Sequence, residues 1–311
     1  MKIYVGITDS EWYDYLSNLP EIDEVNFWRP SAESTFKALQ PGELFLFKLH
    51  SPRDFIAGGG VFAYSTILPI SLAWDAFKEK NGAISHEEMR RQIIQYRRTT
   101  DNQWEDFKIG CILLTQPFFL EEADWFKTPE WSSSIVRGKG YDLNTEAGKY
   151  ILKNIEHAIA KKKELYLDKT GRSIIEQHER YGKDILIKPR LGQSAFKVLV
   201  TDAYNRSCAI TNERALPVLE AAHIKPYSVS GPHEVKNGVL LRSDMYKLFD
   251  RGYLTITPKL NIEISRRIKE EFDNGEYYFT FHGKIVHQPR KFEDQPTDEF
   301  LSWHNENIYK G

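Results

Sequence analysis

Short apolar runs separated by Gly, Pro and Asp turns dominate the first 140 residues, a pattern that favours short strands. Residues 9–19 begin with an Asp–Ser pair that can cap a helix, and residues 25–39 predict a loop that runs into a helix. Several short strands with Gly and Pro turns are typical of a small, partly open β-barrel. The predicted strands are 1–8, 43–49, 55–65 and 108–120.

Helical spacing replaces this pattern in the middle of the chain. Residues 144–167 repeat apolar positions such as Ile151 and Ile155 at the period of a helix and end in a run of lysines. Residues 173–184 are charged and also predict a helix. We therefore interpret residues 141–189 as a helical linker.

Residues 190–311 combine short helices with hairpins and predict a second domain. Helices are predicted at 193–204, 243–250 and 298–311, strands at 206–211 and 217–224, a hairpin at 253–265 and a helical turn at 266–275. The predicted fold class is α+β, with an N-terminal β-barrel and flanking helices over 1–140, the helical linker over 141–189, and a C-terminal domain over 190–311.

Composition narrows the possible partners. The 311 residues suit two domains, and 42 Lys and Arg against 44 Asp and Glu give a net charge of −2. This balance excludes a histone-like polycation, although a local basic groove for nucleic acid remains compatible with it. Two cysteines, Cys111 and Cys208, exclude a disulfide scaffold and a Cys-only zinc site. With no long apolar run and no signal-peptide core, we expect no membrane segment and a cytoplasmic location.

The strongest candidate for a catalytic site lies in residues 219–252, LEAAHIKPYSVSGPHEVKNGVLLRSDMYKLFDRG. An apolar strand ends at His223, Asn237 follows fourteen positions later, and a short acidic helix comes next. Phosphodiester hydrolysis needs a base for water, a polar group that fixes the base and a cation beside the leaving oxygen. His233, in the intervening Gly-Pro loop, is either solvated or in contact with phosphate.

The segments EAAHIKP, KNGVLLRSD and MYKLFD resemble the three motifs of the HNH endonuclease family, whose fold is the ββα-metal fold. The resemblance extends over residues 198–257. It implies that His223 is the general base, that Asn237 holds the loop that orients the imidazole, and that the cofactor is a divalent metal, Mg²⁺ or Mn²⁺.

Two positions depart from the family pattern. Ala222 stands where many HNH proteins place a metal-binding Asp, and Glu220 lies two residues earlier on the same face of the strand. We expect Glu220 to supply the missing carboxylate. Tyr246 stands where related sequences have a metal-binding His, and a phenol with a pKa near 10 is a poor ligand for a hard cation.

These departures leave two alternatives open. Either Asp244, Asp250 or Asn237 completes the metal ligands, or the nuclease site is weakened. Asp250 is equally compatible with a helix C-terminal residue bonded to nearby backbone. Lys225 and Arg242 are candidates for phosphate binding, with solvated charges at the rim as the alternative.

The N-terminal segment FKALQPGELFLFKLHSPRDFIAGGGVF looks like the EVE group of PUA-like barrels, over roughly residues 25–75. The resemblance implies a module that extrudes a nucleotide and inspects it in an aromatic pocket, which requires a stacking face, polar groups for the base edge and a cation for the phosphate. Asn26 would contact the base edge, Trp28 would stack and Arg29 would bind phosphate.

Other stacking candidates follow later in the chain. Trp125 and Trp131 flank a Pro, and packing in the core or under a lid is the alternative for each tryptophan. The glycine-rich segment 137–142 carries two cations that either contact a nucleic-acid backbone or belong to an ordinary loop.

A base-inspecting barrel joined to an HNH domain resembles modification-dependent (type IV) restriction endonucleases. The resemblance implies double-stranded DNA carrying 5-methyl- or 5-hydroxymethylcytosine as the substrate. One HNH site cuts one strand, so we expect a homodimer for a double-strand break. The alternatives are a catalytically weakened HNH protein that only senses modified nucleic acid, and a nuclease whose barrel anchors DNA regardless of modification.

Overall fold

A computed structural model describes residues 1–97, 105–170 and 191–311, with side chains of the long central helix described up to residue 161. The chain divides into two compact units, Met1–Arg190 and Leu191–Gly311. The predicted helix at 173–184 lies outside the described residues.

The described part of the first unit is a mixed sheet with four helices. The predicted strands at 1–8, 43–49, 55–65 and 108–120 and the helix at 9–19 are confirmed, with shifts of a few residues at their ends. The strands are β1 (Lys2–Thr8), β2 (Glu24–Arg29), β3 (Leu44–Leu49), β4 (Phe55–Pro69), β5 (Lys108–Phe119), β6 (Phe126–Lys127) and β7 (Gly138–Asp142). The helices are α1 (Ser10–Ser17), α2 (Ile70–Phe77), α3 (His86–Gln95) and α4 (Glu146–Thr170).

The seven strands form one sheet in the order β2-β5-β4-β3-β1-β7, with β6 also paired to β4. The β1–β3 pair is parallel, and the other neighbours are antiparallel. Among the described residues no pairing joins β2 to β7, so closure of this sheet into a PUA-like barrel stays a prediction.

Strand β3 is buried on both faces, which explains its continuous apolar run. Leu44 and Leu46 pack in the same cluster as Ile151 and Ile155 of α4, which is why that helix keeps apolar residues at a helical period. Helix α4 therefore covers one face of this sheet over its described side chains, and the helical linker over 141–189 stays a prediction.

The helix predicted at the end of 25–39 is wrong, and the predicted loop begins only at residue 30. Residues 24–29 form β2, whose backbone pairs with residues 110–115 of β5. Pro30 removes a backbone donor immediately after the strand. Further on, the backbone N–H of Phe36 donates to the Ser65 hydroxyl in place of a helical carbonyl.

The second unit packs short helices around two hairpins. Its strands are β8 (Leu219–His223), β9 (Gly238–Arg242), β10 (Leu254–Ile256) and β11 (Ile262–Ile264), and its helices are α5 (Gln193–Ala203), α6 (Ser243–Asp250), α7 (Arg267–Phe272), α8 (Glu276–Phe279) and α9 (Asp298–Asn307). Strands β8 and β9 pair antiparallel, as do β10 and β11. The core contains Phe196, Ala222, Leu240, Met245 and Phe249.

The predicted strand at 206–211 is also wrong, because this segment is a series of turns. The buried Cys208 thiol organises them, since its Sγ accepts the backbone N–H groups of Ile210, Thr211 and Arg242 at 3.2–3.4 Å. The turn is thus tied to the end of β9 by the sulfur atom.

Candidate functional site

The β8–β9 hairpin and α6 bring the candidate nuclease residues into one structural unit. In the hairpin, His223 pairs with Gly238. A Cβ at Gly238 would lie 2.4 Å from a Val200 methyl group and 3.0 Å from the Phe196 ring, both on α5. Glycine at this position therefore lets α5 pack directly on the hairpin beside His223.

Asn237 is fully buried, and its side chain makes hydrogen bonds to the backbone of the loop between β8 and β9. Its Oδ1 accepts the Lys225 N–H at 2.8 Å, and its Nδ2 donates to the carbonyls of Lys225 and Pro232, both at 2.9 Å. The amide therefore satisfies three backbone groups and fixes the loop that follows His223.

His223 lies at the end of β8, half-buried. Its ring stacks on Phe196 with the ring centroids 3.8 Å apart and the planes 12° from parallel. Burial, with a smaller contribution from His233, lowers its pKa to about 4. The imidazole is therefore neutral at pH 7 and can accept a proton from water.

His233 reaches the same place from the loop. Its Nδ1 lies 2.9 Å from Nε2 of His223, and its ring stacks on Tyr227 with centroids 4.4 Å apart. The sequence had left His233 as a solvated or phosphate-contacting residue, and its spacing of ten residues from His223 gave no signal for this contact.

Arg242 and Asp244 engage each other. The guanidinium donates two hydrogen bonds of 2.7 Å to the carboxylate, and it also donates to the Tyr277 hydroxyl at 3.1 Å. The Arg242 hydrogen bonds lower the pKa of Asp244. Each side chain thus engages the other, and the phosphate-binding role of Arg242 and the metal-binding role of Asp244 stay predictions.

The carboxylates of Glu220 and Asp250 both lie near the Tyr246 phenol. The pKa of Tyr246 is raised by burial and then by the nearby carboxylates of Asp250 and Glu220. Among the described residues no group of three His, Cys, Asp or Glu side chains could hold a metal. Two carboxylates do fit Mg²⁺, which commonly takes one or two from the protein and completes its shell with water and substrate phosphate.

Lys225 follows the hairpin strand but is directed toward α9. Its ammonium group lies 5.8 Å from the centroid of the Trp303 ring. This weak cation–π contact leaves the ammonium able to bind an anion.

A separate cavity of about 1040 Å³ lies within the first unit. Aromatic rings form much of its wall: Tyr4, Phe36 and Phe45 contact one another with centroids 4.9–5.8 Å apart. Trp28 and Tyr96 also line it, 6.2 Å apart. A concave aromatic wall of this size is typical of a small-molecule or nucleobase site.

Three arginines line the same cavity, and two of them, Arg29 and Arg137, lie beside the Tyr4 ring. Burial and the neighbouring Arg137 charge lower the pKa of Arg29, and both arginines act electrostatically on the Tyr4 phenol. Arg29 donates to the Ser34 carbonyl, while its buried Nε has no hydrogen-bond partner among the described residues. The lining also carries the carboxylates of Asp9, Glu33, Glu105 and Asp106. The part of the wall where Arg29 and Arg137 lie beside the Tyr4 ring suits an anionic, stacking group.

The structure does not bring three of the predicted pocket residues to this cavity. Asn26 is fully buried, and its Nδ2 donates to Asn81 at 2.9 Å. Trp125 donates its Nε1–H to the Leu120 carbonyl, and Trp131 lies beneath the Lys48 ammonium, 4.9 Å from the ring centroid. Asn26 is instead held in the interior, where its Nδ2 also lies 3.5 Å from the Cys111 Sγ.

Sequence reasoning missed most of the aromatic wall. Tyr4, Phe36, Phe45 and Tyr96 come from four separate segments, so no local motif links them. The available signal was the alternation in β1 and β3, which places Tyr4 and Phe45 on the face opposite to α4.

Comparison with known proteins gives one family. Residues 208–257 match the model of the family described as HNH endonuclease. No curated protein matches the chain.

Two solved structures show some likeness, and both are crystal structures of mutant ZmASCH proteins from Zymomonas mobilis. The first is 10% identical with a TM-score of 0.32, covering 49% of this chain and 95% of its own. The second is 13% identical with a TM-score of 0.30, covering 49% of this chain and 98% of its own. At these TM-scores neither carries an argument about this chain.

The family match coincides with the hairpin, the loop and helix α6. In the described part of the chain, no helix has both the length and the apolar character needed to cross a membrane. The chain therefore carries an HNH endonuclease domain at residues 208–257, a family that generally uses a divalent metal, and this domain suggests nucleic-acid hydrolysis.

Proposed function

We propose that the protein is a modification-dependent DNA endonuclease. The N-terminal unit would hold an extruded modified cytosine, 5-methyl or 5-hydroxymethyl, and the HNH domain would hydrolyse a phosphodiester bond nearby. The observation that carries the nuclease half is the neutral imidazole of His223 beside a loop fixed by Asn237, within the segment that matches the HNH family.

The chemistry follows from the state of the imidazole. His223 takes a proton from a water molecule, the water oxygen attacks phosphorus in line, and the bond to the 3′ oxygen breaks to leave a 5′-phosphate. The low pKa of His223 keeps the ring ready to accept this proton, and an anionic phosphate beside it would stabilise the imidazolium that forms.

The carboxylates of Glu220 and Asp250 would hold the divalent cation. Mg²⁺ or Mn²⁺ bound there would neutralise charge on the leaving oxygen. Asn237 fixes the loop that follows His223. Lys225 would contact the phosphate backbone.

The recognition half is supported by the cavity of the first unit. Its aromatic wall offers stacking worth about 1–3 kcal/mol per base, comparable to the few kcal/mol needed to extrude a base. Arg29 and Arg137 would hold the phosphate of the extruded nucleotide. A group added at cytosine C5 changes the shape of the base without disturbing pairing, so a pocket can measure it.

A second function has its own support. Tyr246 replaces a metal-binding His, and Asp244 is occupied by Arg242, both of which favour a weakened nuclease that only senses modified nucleic acid. On that view the cavity would still bind modified DNA and the HNH domain would not cut.

A cleavage panel distinguishes the two functions. Duplexes with cytosine, 5-methylcytosine or 5-hydroxymethylcytosine are incubated with wild type and His223→Ala in Mg²⁺ or Mn²⁺. Cutting of modified duplexes that disappears in the variant supports the endonuclease. Selective binding without cutting by the wild type supports the sensor, and equal cutting of all duplexes indicates a barrel that only anchors DNA.

We also propose a homodimer for double-strand cutting. Analytical ultracentrifugation with modified duplex would show two chains per DNA. Monomers alone, with and without the duplex, would contradict this part of the proposal.

A further inference from the structure

The contact between the two histidines limits how protons can be placed on His223. Its Nε2 is 2.9 Å from Nδ1 of His233, so one of these two nitrogens must carry the hydrogen. If His233 Nδ1 donates, His223 carries its proton on Nδ1 and has no free lone pair. If His223 Nε2 donates, the lone pair on its Nδ1 remains available.

The other nitrogen of His223 is open. Among the described residues no hydrogen bond is made to His223 Nδ1, and the side chain is only half-buried. A general base must present a lone pair to water, so only the arrangement with the hydrogen on Nε2 leaves His223 competent.

Both rings are held in the positions that this hydrogen bond needs. Phe196 stacks on His223, and Tyr227 stacks on His233 with planes 10° from parallel. Asn237 binds the carbonyl of Pro232, the residue before His233. The acceptor nitrogen is therefore fixed by an aromatic ring on one side and by the buried amide through the backbone.

We propose that His233 is a positioning residue that accepts the hydrogen bond from His223 Nε2–H and thereby makes Nδ1 the basic nitrogen. This inference rests on the proposed nuclease function for its consequence in catalysis. When Nδ1 takes the proton from water, the imidazolium keeps donating through Nε2–H to Nδ1 of His233, so the ring keeps its position before and after the proton moves. One proton moves, from water to Nδ1, and none leaves the pair.

The tautomer can be measured without any activity. Long-range ¹H–¹⁵N spectra of histidine-labelled full-length protein at pH 7.5 distinguish the two neutral tautomers, and the His223 signals are assigned as those lost in His223→Ala. We expect the Nε2–H tautomer in the wild type and a mixture in His233→Ala. A wild type in the Nδ1–H tautomer, or no change in His233→Ala, would overturn the inference.

Kinetics supply the second test. His233→Ala should lower kcat on cleaved DNA by about 10–100-fold with little change in KM, less than the ~10²–10⁴-fold loss of the base itself. His233→Asn offers Oδ1 as an acceptor near the same position and should restore most of the rate, while an unchanged kcat in His233→Ala would contradict the proposal. If the wild type cuts no DNA, the nuclease function fails, and the tautomer measurement still decides the role of His233.

Discussion

The two candidate sites are assembled in opposite ways. The nuclease residues lie within 219–252, on a hairpin and the helix that follows it. The cavity of the first unit is lined by residues as distant in sequence as Tyr4 and Arg137. A local site leaves a readable motif, whereas a site built from separate strands becomes visible only when the sheet has been paired.

The largest effect is expected from His223→Ala, which removes the proposed base. Cutting should fall by about 10²–10⁴-fold because no neutral imidazole then faces the water. Single-turnover cleavage of a modified duplex measures it. His287→Ala in the same unit changes an exposed histidine and should leave the rate unchanged, so an equal loss in both variants would contradict the assignment.

The next effect concerns stability. Asn237→Ala leaves three backbone groups without their partner and should lower the free energy of unfolding of the second unit by about 3 kcal/mol. Hydrogen–deuterium exchange of second-unit peptides in urea measures it. Asn307→Ala, which removes one exposed hydrogen bond to Trp303, should cost less than about 1 kcal/mol.

Acidification should lower the free energy of unfolding of the second unit in particular. His304 is 2% exposed, and burial lowers its pKa to about 4. Between pH 6.5 and 4 the unfolded chain therefore binds a proton that the folded chain does not. The free energy of unfolding consequently decreases as the pH falls through this window, and above about pH 6.5 this contribution is fully present. The loss is about 3 kcal/mol at most, and His223 adds to it in the same direction.

His304→Gln tests that cause, because the amide can still donate to the Phe249 carbonyl that His304 Nε2 contacts. Exchange of peptides from β10 and α9 at pH 7 and pH 4.5 should show a smaller pH difference in this variant. The same difference in variant and wild type would assign the acid sensitivity to other groups.

The smallest expected effects concern DNA binding by the cavity of the first unit. Arg137→Gln should weaken binding of all duplexes several-fold and reduce the salt slope of log Kd by about 1, because one phosphate contact is lost. Lys153→Gln, which changes an exposed cation outside the cavity lining, is the matched control. An equal slope change in both would show that Arg137 contributes only general charge.

Phe36→Leu should act on selectivity instead. Removing one aromatic face from the cavity should reduce the preference for modified over unmodified duplex by about 1 kcal/mol or more. Phe272→Leu, at an exposed position of the second unit, should not. Fluorescence anisotropy with both duplexes measures the ratio.

The sequence predicted the elements whose periodicity is set locally. Strand β3 and helix α4 were predictable because their apolar positions follow one period without interruption. Strand β2 was not, because its six residues show no clear period and their backbone pairs with a strand about 85 positions later.

The same distinction holds for the site residues. The positions of His223 and Asn237 on one hairpin could be predicted from the motif. The pairing of Arg242 with Asp244 and of His223 with His233 could not, because side-chain partners depend on loop geometry that spacing alone does not define.

The most direct test of the central claim separates binding from cutting in one variant. His223→Ala is compared with wild type for the affinity and for the cleavage rate on modified and unmodified duplexes in Mg²⁺. We predict an unchanged preference for modified DNA together with loss of cutting. Cutting that survives in His223→Ala, or a preference that disappears with it, would contradict an account in which one unit selects the base and the other hydrolyses the strand.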